Sequence, residues 1–355
     1  MAPDPVTASG RADPLLVARL RAQLLTSRAA TDPVDVVERL LAVQAQDGRG
    51  FRLAVRARSS VAGASAVDHA LTHDRSLVVD WLNRGTLHLV RSEDHAWLHM
   101  LTTPRLTTAG NRRLAQEGVD AAMAERAVAL VTTTLREDGP HTRAQLRDVL
   151  DAAGVRTAGQ ALVHVLGAAS FAGLALRGPV VDGEQAFVDP ESWLGPRPPL
   201  PERDVALAEL ARRYLAGHGP ARDHDLAYWT GLPLRDARRG LAGVRGLVDH
   251  GDGLVSLHAD DDAPAVPDPV LLGPFDPLLH GWKSRALVVG DDEEGVVTSN
   301  GLFRPVALVD GVAVAVWGLA GGRLTWTVRD GHRLSSPVEQ ALRIDAARVV
   351  DYLGS

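Results

Sequence analysis

Three times along this chain a group of helical segments ends in a short two-stranded ribbon, and that recurrence limits the fold more than any single motif does. In the first cycle, residues 15–25 place apolar side chains at helical spacing. A second helix is predicted over 33–46, with Asp32 as N-cap, Pro33 at the first helical position and Asp35 complementing the dipole. Residues 51–58 and 65–72 continue the helical pattern, after which 77–81 and 85–90 read as strands around Leu82, Asn83 and Arg84. The second cycle has helices over 121–136 and 159–172, and another opened by Thr142 as N-cap with Gln145 at the capping-box position. Strand-like runs at 174–177 and 185–188 follow. The third runs through 204–214, 219–229 and 233–242 to a hairpin over 247–257. Three helical units, each closed by a ribbon, make three tandem winged helices, without the fixed period of a solenoid.

Beyond residues 260–264, an aspartate run ending in Ala-Pro, the texture changes. Segments 270–272, 286–289, 306–309, 312–317 and 324–328 are strand-like, Asp310-Gly311 and Gly321-Gly322 have hairpin-turn chemistry, and 337–352 closes with a helix. The expected class is therefore α+β: three winged helices followed by a C-terminal antiparallel, barrel-like β-domain. The expected division is a flexible leader over 1–13, winged helices over 14–118, 119–200 and 201–260, and the β-domain over 261–355.

Composition removes whole classes of chemistry. Cysteine is absent, which excludes thiol catalysis, disulfides and cysteine-based zinc sites. Lys283 is the only lysine, so imine chemistry has one candidate residue. The net charge of −6 provides no global basic field, so contacts to nucleic acid would rest on local arginines. No apolar run reaches the length of about 18 residues that spans a bilayer, and the N-terminus has no signal pattern. A soluble, cytoplasmic monomer without cofactor or membrane partner is expected.

Residues 44–46, Gln-Ala-Gln, sit awkwardly on their helix. Gln44 falls on the apolar stripe of Val36, Val37, Leu40 and Leu41, where a primary amide is costly unless its polar atoms find partners. Gln46 falls on roughly the opposite side of an ideal helix, and Gly48 and Gly50 read as the stop signal. Two readings stand: a hydrogen-bonded core Gln44 beside a solvated Gln46, or a helix that frays near Ala45 and lets both amides enter one pocket. Arg52, Arg56 and, more loosely, Arg58 share a helical face that is either solvated or aimed at phosphate. Arg84, Thr86 and His88 alternate onto one strand face while Leu87 and Leu89 point to the core, as in an ordinary ribbon or a lined pocket. Residues 275–285, with Lys283 and Arg285, form either a DNA-backbone-contacting loop or a structural corner. The pairs His69/His73 and His95/His99 have zinc-ligand spacing, but no carboxylate pattern completes either, so surface histidines and no metal are expected.

The order of landmarks then becomes informative: 36–40, Gln44-Ala45-Gln46-Asp47, 81–90, 159–162, 218–221, 225–232, 275–285 and Asn300-Gly301-Leu302-Phe303-Arg304-Pro305. In this order, and over nearly the whole chain, they resemble the AlkZ-type winged-helix DNA glycosylases of bacteria. The resemblance implies three winged helices in a C-shape around double-stranded DNA, a C-terminal β-barrel, and a catalytic glutamine-x-glutamine motif, here Gln44 and Gln46. Relatives of the YcaQ type carry aspartate at the second position, so Gln46 places the chain with the AlkZ branch. That branch is associated with self-resistance to DNA-alkylating natural products in antibiotic-producing actinobacteria. The resemblance also makes Asp47, Arg84, Thr86 and His88 candidate pocket residues, and Arg52, Arg56, Lys283, Arg285 and Arg304 candidate DNA contacts.

Residue chemistry agrees with such a substrate. Cleaving an N-glycosidic bond passes through an oxocarbenium-like sugar, ordinarily helped by a carboxylate and by protonation of the leaving base. An N7- or N3-alkylated purine is already cationic and leaves without a general acid, so the remaining tasks are to hold a water and stabilise positive charge. Amides perform both, more weakly than carboxylates. The expectation is a monofunctional glycosylase, excising alkylpurines in base excision repair without lyase chemistry. Asp47 is the nearest carboxylate, with helix capping as its alternative role. The acidic residues 291–294 are expected to face away from DNA. The competing readings are a non-catalytic winged-helix DNA-binding regulator and a metal-dependent hydrolase built on a histidine pair.

Overall fold

Short aspartate side chains start the first helices of this protein, whose structure is a computed structural model describing residues 13–258 and 266–355. Asp13 accepts a hydrogen bond from the Leu15 amide at 2.8 Å and opens α1 (Pro14–Ala22). Asp32 opens α2 (Pro33–Leu40) in a capping box closed by Asp35. Asp47 opens α3 (Gly48–Arg58). Each satisfies amides that a helix N-terminus leaves unpaired. α4 (Ser65–Thr72) follows. Most of the leader and the 260–264 boundary lie outside the described residues.

Compactness divides the chain into two units, one formed by residues up to Val67 together with Leu207–Ser355, the other by Asp68–Ala206. In the second unit, β1 (Leu77–Leu82) and β2 (Thr86–Arg91) pair antiparallel across the Asn83–Gly85 turn, both largely buried on their two faces. α5 (Ser92–Thr102) and α6 (Leu106–Gln116) lead to α7 (Ala121–Glu137), α8 (Arg143–Ala152) and α9 (Ala161–Phe171), which are followed by the hairpin of β3 (Leu176–Val181) and β4 (Glu184–Val188). Thr142 and Gln145 form the capping box expected at α8. Leu135, Leu146, Leu150, Leu162, Val165 and Phe187 pack into one core that holds the three helices on the hairpin. α10 (Pro190–Leu194) closes the unit, capped by Asp189.

The first unit resumes along α11 (Arg203–His218) and continues with α12 (Asp223–Thr230), α13 (Leu234–Ala242) and a small hairpin, β5 (Val248–Asp249) with β6 (Val255–Ser256). A four-stranded antiparallel sheet then forms from β7 (Val270–Leu272), β8 (Val306–Val309), β9 (Val312–Ala320) and β10 (Arg323–Val328), in that spatial order. The expected barrel is not there: β7 and β10 are edges, and the sheet is open. α15 (Ser336–Gly354) explains why closure is not required. Its Val338, Leu342, Val349 and Tyr352 pack with Leu271, Ala307, Val314 and Ala315, covering one sheet face with a helix.

Two further expectations are corrected. Residues 286–289 are a helical turn, α14 (Ala286–Val289), ended by Gly290 at φ 67°, because a four-residue apolar run carries no period that separates strand from helix. The helix expected over 33–46 stops at Leu40, and Gly48 and Gly50 begin the next helix rather than end this one. Buried ion pairs bind the first unit internally. The Arg58 guanidinium meets Asp276 at 2.7 and 2.9 Å with neither side chain exposed, and also donates to Gln23 Oε1 at 2.8 Å.

Candidate functional site

Where α2 ends, the backbone turns sharply. Leu41 takes φ 65° and ψ −43°, and the Ala42 amide bonds the Leu40 carbonyl at 2.8 Å, a γ-turn of the rare positive-φ kind. A buried leucine in this conformation stores strain of about 1–3 kcal/mol. Two residues of α11 brace it. Arg213 donates from Nη2 to the Glu38 carbonyl at 2.9 Å, and Gly217 lies so close that a Cβ there would sit 2.4 Å from the Arg39 carbonyl oxygen. Neither residue carries a local sequence signal, because their partners are more than 170 positions away.

Beyond the turn the chain is extended through Val43–Gln44. In extended backbone the side-chain period is two rather than 3.6, so residues 44 and 46 come to one side. Gln44 Nε2 donates directly to Gln46 Oε1. Gln44 is 6% exposed whereas Gln46 is open to solvent. Gln44 Oε1 is buried and has no hydrogen-bond partner among the described residues. A buried, unpaired carbonyl oxygen costs about 1–3 kcal/mol, so it is an acceptor waiting for a donor or a positive charge. The outward amide of Gln46 supplies donors beside it. Together the pair can hold a water between an acceptor and a donor and turn amide oxygens toward a cationic centre.

Asp47 serves the helix, accepting from the Arg49 and Gly50 amides at 2.9 and 2.7 Å. Gly50 lets α3 press on the following loop, since a Cβ there would stand 2.4 Å from the Pro274 carbonyl oxygen. Arg52, Arg56 and Arg58 of α3 do not share one environment. Arg52 is half-buried, stacks on Phe51 and bonds the Gly48 carbonyl. Arg56 turns inward to Asp345, as Arg58 turns to Asp276, so both charges are spent inside the fold. Lys283 is exposed, its backbone amide fixed by Asp225 at 3.0 Å. Arg285 bonds the Tyr228 hydroxyl at 2.9 Å, stacks 5.2 Å from the Phe303 ring and pairs with Glu293. Arg304 is exposed in the neighbouring loop. Part of the acidic run is thereby neutralised within the fold, with Glu293 on Arg285 and Asp292 on Arg329 at 3.6 Å.

Arg84, Thr86 and His88 belong to the second unit. Arg84 sits in the turn at φ 55° rather than on the strand, so it does not alternate with the other two. Thr86 is half-buried and bonds the Asn83 carbonyl at 3.2 Å. His88 is 2% exposed, and its Nδ1–H donates to the Thr86 carbonyl at 2.9 Å. Beside them sequence reasoning missed Asn83, an amide 1% exposed with neither polar atom partnered among the described residues. The histidine pairs separate: His69 and His73 are on the surface as expected, but His95 and His99 are buried. Asp80 explains the difference, because it offers His95 Nε2 an acceptor at 2.7 Å inside the unit. Among the described residues no group of three potential ligands could hold a metal ion, and no helix is long and apolar enough to cross a membrane.

Burial pushes the pKa of His88, and of His218 in the first unit, down from 6.5 to about 3. Both therefore stay neutral in the folded chain while an unfolded histidine protonates near 6.5. Below that pH the unfolded state binds more protons, so stability present above pH 6.5 is lost as pH falls toward 3. The expected slope is on the order of 1 kcal/mol per pH unit for each histidine between about pH 6 and 4. Urea unfolding across that window checks it. In a His218→Gln variant the slope should weaken, and an unchanged slope would remove His218 from the account.

The sequence matches the profile of the AlkZ-like family (DNA glycosylase AlkZ-like) over residues 37–352. An interstrand DNA cross-link repair glycosylase of Streptomyces sahachiroi is 29% identical, covering 93% of each chain. The solved structure of Streptomyces sahachiroi DNA glycosylase AlkZ superposes with a TM-score of 0.75 at 25% identity, covering 96% of each chain. With a match this nearly complete, the chain belongs to the AlkZ-like DNA glycosylase family.

Proposed function

We propose that this protein is a monofunctional DNA glycosylase that hydrolyses the N-glycosidic bond of N7- or N3-alkylated purines in double-stranded DNA, using Gln44 and Gln46. The observation that carries the reading is the touching pair of amides, with Gln44 Oε1 left buried and unpaired. In the reaction, Gln46 orients a water against C1′ and the Gln44 oxygen accepts a hydrogen bond from it. As the C1′–O bond forms, the C1′–N bond breaks with its electron pair going to the cationic purine, and the water's surplus proton passes to solvent. The same oxygens face the positive charge that grows on the sugar as the base departs. The lesion is already cationic, so no general acid is required and none stands in the pair. A single lysine in the chain favours water over an amine as nucleophile, leaving an abasic site and an intact strand.

Each group of three helices followed by a hairpin, over 121–188 and 203–256, is read as a winged helix, and the α1–β2 segment as a third. Arg52, Lys283 and Arg304 are the basic side chains we assign to the DNA backbone. The interstrand cross-link repair named for the Streptomyces relative supports a bulky DNA adduct as the substrate class, and the natural-product origin of that adduct and a self-resistance role are our reading of the AlkZ-type resemblance.

The assay is release of 7-methylguanine, or of a natural-product adduct, from alkylated duplex DNA. Released base, alkali-dependent strand breaks and activity that survives EDTA are the expected results. No release from any alkylated DNA overturns the proposal, and strand cleavage without alkali overturns its monofunctional form. The brace at the γ-turn gives a separate expectation. Arg213→Gln should lower the single-turnover rate about tenfold with substrate affinity within a factor of two, and Arg213→Lys should retain most of it. Equal loss in both variants, or loss only in affinity, would dissociate Arg213 from placement of the glutamines.

A further inference from the structure

The second unit forms a cavity of about 640 Å³, open to solvent, that the glycosylase reading does not use. Its walls are the start of α5, the end of α7, the Gly173–Leu174 bend and the segment 189–198, all within Asp68–Ala206. That volume is in the range of small-molecule sites, about 300–1,000 Å³. We propose that this cavity binds a small phosphorylated molecule of mononucleotide size.

Three observations lead to that class. The first is His95, which lines the cavity and is 7% exposed. Its Nε2 faces Asp80 at 2.7 Å, and Asp80, 1% exposed, is itself held by the Ser170 hydroxyl and by the Trp81 amide at 2.8 Å. The carboxylate fixes the proton on Nε2, so Nδ1 is an acceptor, and it has no partner among the described residues. The neighbouring His99 is saturated, donating to the Ser170 carbonyl at 2.9 Å and facing the Thr103 hydroxyl at 3.3 Å. One imidazole thus has a positioned acceptor left over, suited to a sugar hydroxyl.

The second is the balance of charge. Arg75, Arg136 and Arg197 line the cavity, as do Asp74, Glu93, Asp189 and Glu191. Most of the carboxylates are already engaged: Asp189 by Arg136 at 3.3 Å and by the Ser192 amide, Glu93 by Arg91 at 2.8 Å, and Asp74 beside His69 at 3.3 Å. Arg75 lies on the Trp193 ring at 4.0 Å and donates to the Trp193 carbonyl at 3.2 Å, engaging no carboxylate. Arg197 makes no ion pair among the described residues; the His99 pKa is lowered chiefly by burial, with His95 and then Arg197 adding to it against Asp80 and the Ser170 carbonyl, which raise it. Arg75 and Arg197 therefore make no ion pair among the described residues, Glu191 and Asp74 being the lining carboxylates that no arginine meets there, and guanidiniums match phosphate oxygens in geometry and charge.

The third is the apolar wall. Leu174, Leu194, Pro190, Pro196 and Trp193 add hydrocarbon surface to the lining, the Trp193 ring beneath the Arg75 guanidinium. A ligand that combines an anionic group, hydroxyls and a flat, weakly polar part matches the guanidiniums, the His95 acceptor and the hydrocarbon of this lining.

Calorimetric titration of the full chain with adenosine monophosphate, ribose 5-phosphate, adenosine and inorganic phosphate tests the assignment. The nucleotide should bind with a dissociation constant below about 1 mM, at least tenfold more tightly than adenosine or phosphate. Arg197→Ala changes an exposed side chain and should keep the fold and base release from DNA, while weakening nucleotide binding about tenfold. Arg75→Ala should do the same. No binding of any of the four compounds at about 10 mM, equal affinity for phosphate and nucleotide, or nucleotide affinity unchanged in both variants would overturn the proposal.

Discussion

Gln46→Ala is expected to lower single-turnover release of an alkylpurine by on the order of 10²-fold, with thermal stability unchanged. Gln46 is exposed and its oxygen meets only Gln44 within the described structure, so its removal leaves the fold intact and takes the donor from the water. Gln44→Ala should cost at least as much, because the buried Oε1 is the acceptor that no other side chain replaces. It should also stabilise the folded chain slightly, since it removes an unpaired polar atom from an apolar surround. That combination separates catalysis from support: a structural Gln44 would lose stability on truncation and keep the rate. The substitution Gln46→Asp is the sharper comparison. A carboxylate stabilises the oxocarbenium better but loses the amide donor to water. Rates in both glutamine-to-alanine variants within threefold of the parent would end the water-positioning mechanism.

The second large effect concerns the fold. Asp276→Ala should destabilise the protein by about 3–5 kcal/mol, because it strands the Arg58 guanidinium in the interior. Both Asp276 oxygens are committed, to Arg58 and to the Leu278 amide at 2.9 Å, and neither side chain of the pair is exposed. Replacing both partners together, Arg58→Met with Asp276→Leu, should recover much of the loss, since no charge is then left unpaired. Arg52→Ala, on the same helix but half-exposed, should change stability by less than about 0.5 kcal/mol. Urea unfolding of the four proteins decides it. A loss under about 1 kcal/mol for Asp276→Ala would mean that water reaches Arg58.

Much of the architecture was legible because local chemistry and tertiary structure agree. Asp32 and Thr142 are caps in the sequence and caps in the fold, whereas the caps at Asp13 and Asp189 are seen only in the fold. The strands expected over 77–81 and 85–90 pair over 77–82 and 86–91, although the polar face read there from alternation is not formed, and the hairpin turn at Asp310-Gly311 follows from its dipeptide. The errors have a common origin. Apolar residues at 286–289 carry no period, barrel closure is invisible to any single strand, and the inward rotation of Arg56 depends on Asp345, 289 positions away. His95 looked like a surface residue because its partner Asp80 lies on a strand 15 positions earlier, and only strand and helix packing brings them to 2.7 Å.

The glutamine pair shows the same division most clearly. The sequence by itself determined the two amides, their two-residue spacing and the family to which their surroundings belong. It also posed the difficulty that a helix would point them apart. Only the tertiary structure decided that the helix ends first. Arg213 and Gly217, brought alongside from α11, brace a γ-turn at Leu41 that local propensity would never select. Strain of that kind persists only where distant packing over-determines the backbone. Once the chain is extended, the side-chain period changes from 3.6 to two, and residues that a helix would separate become hydrogen-bonded neighbours.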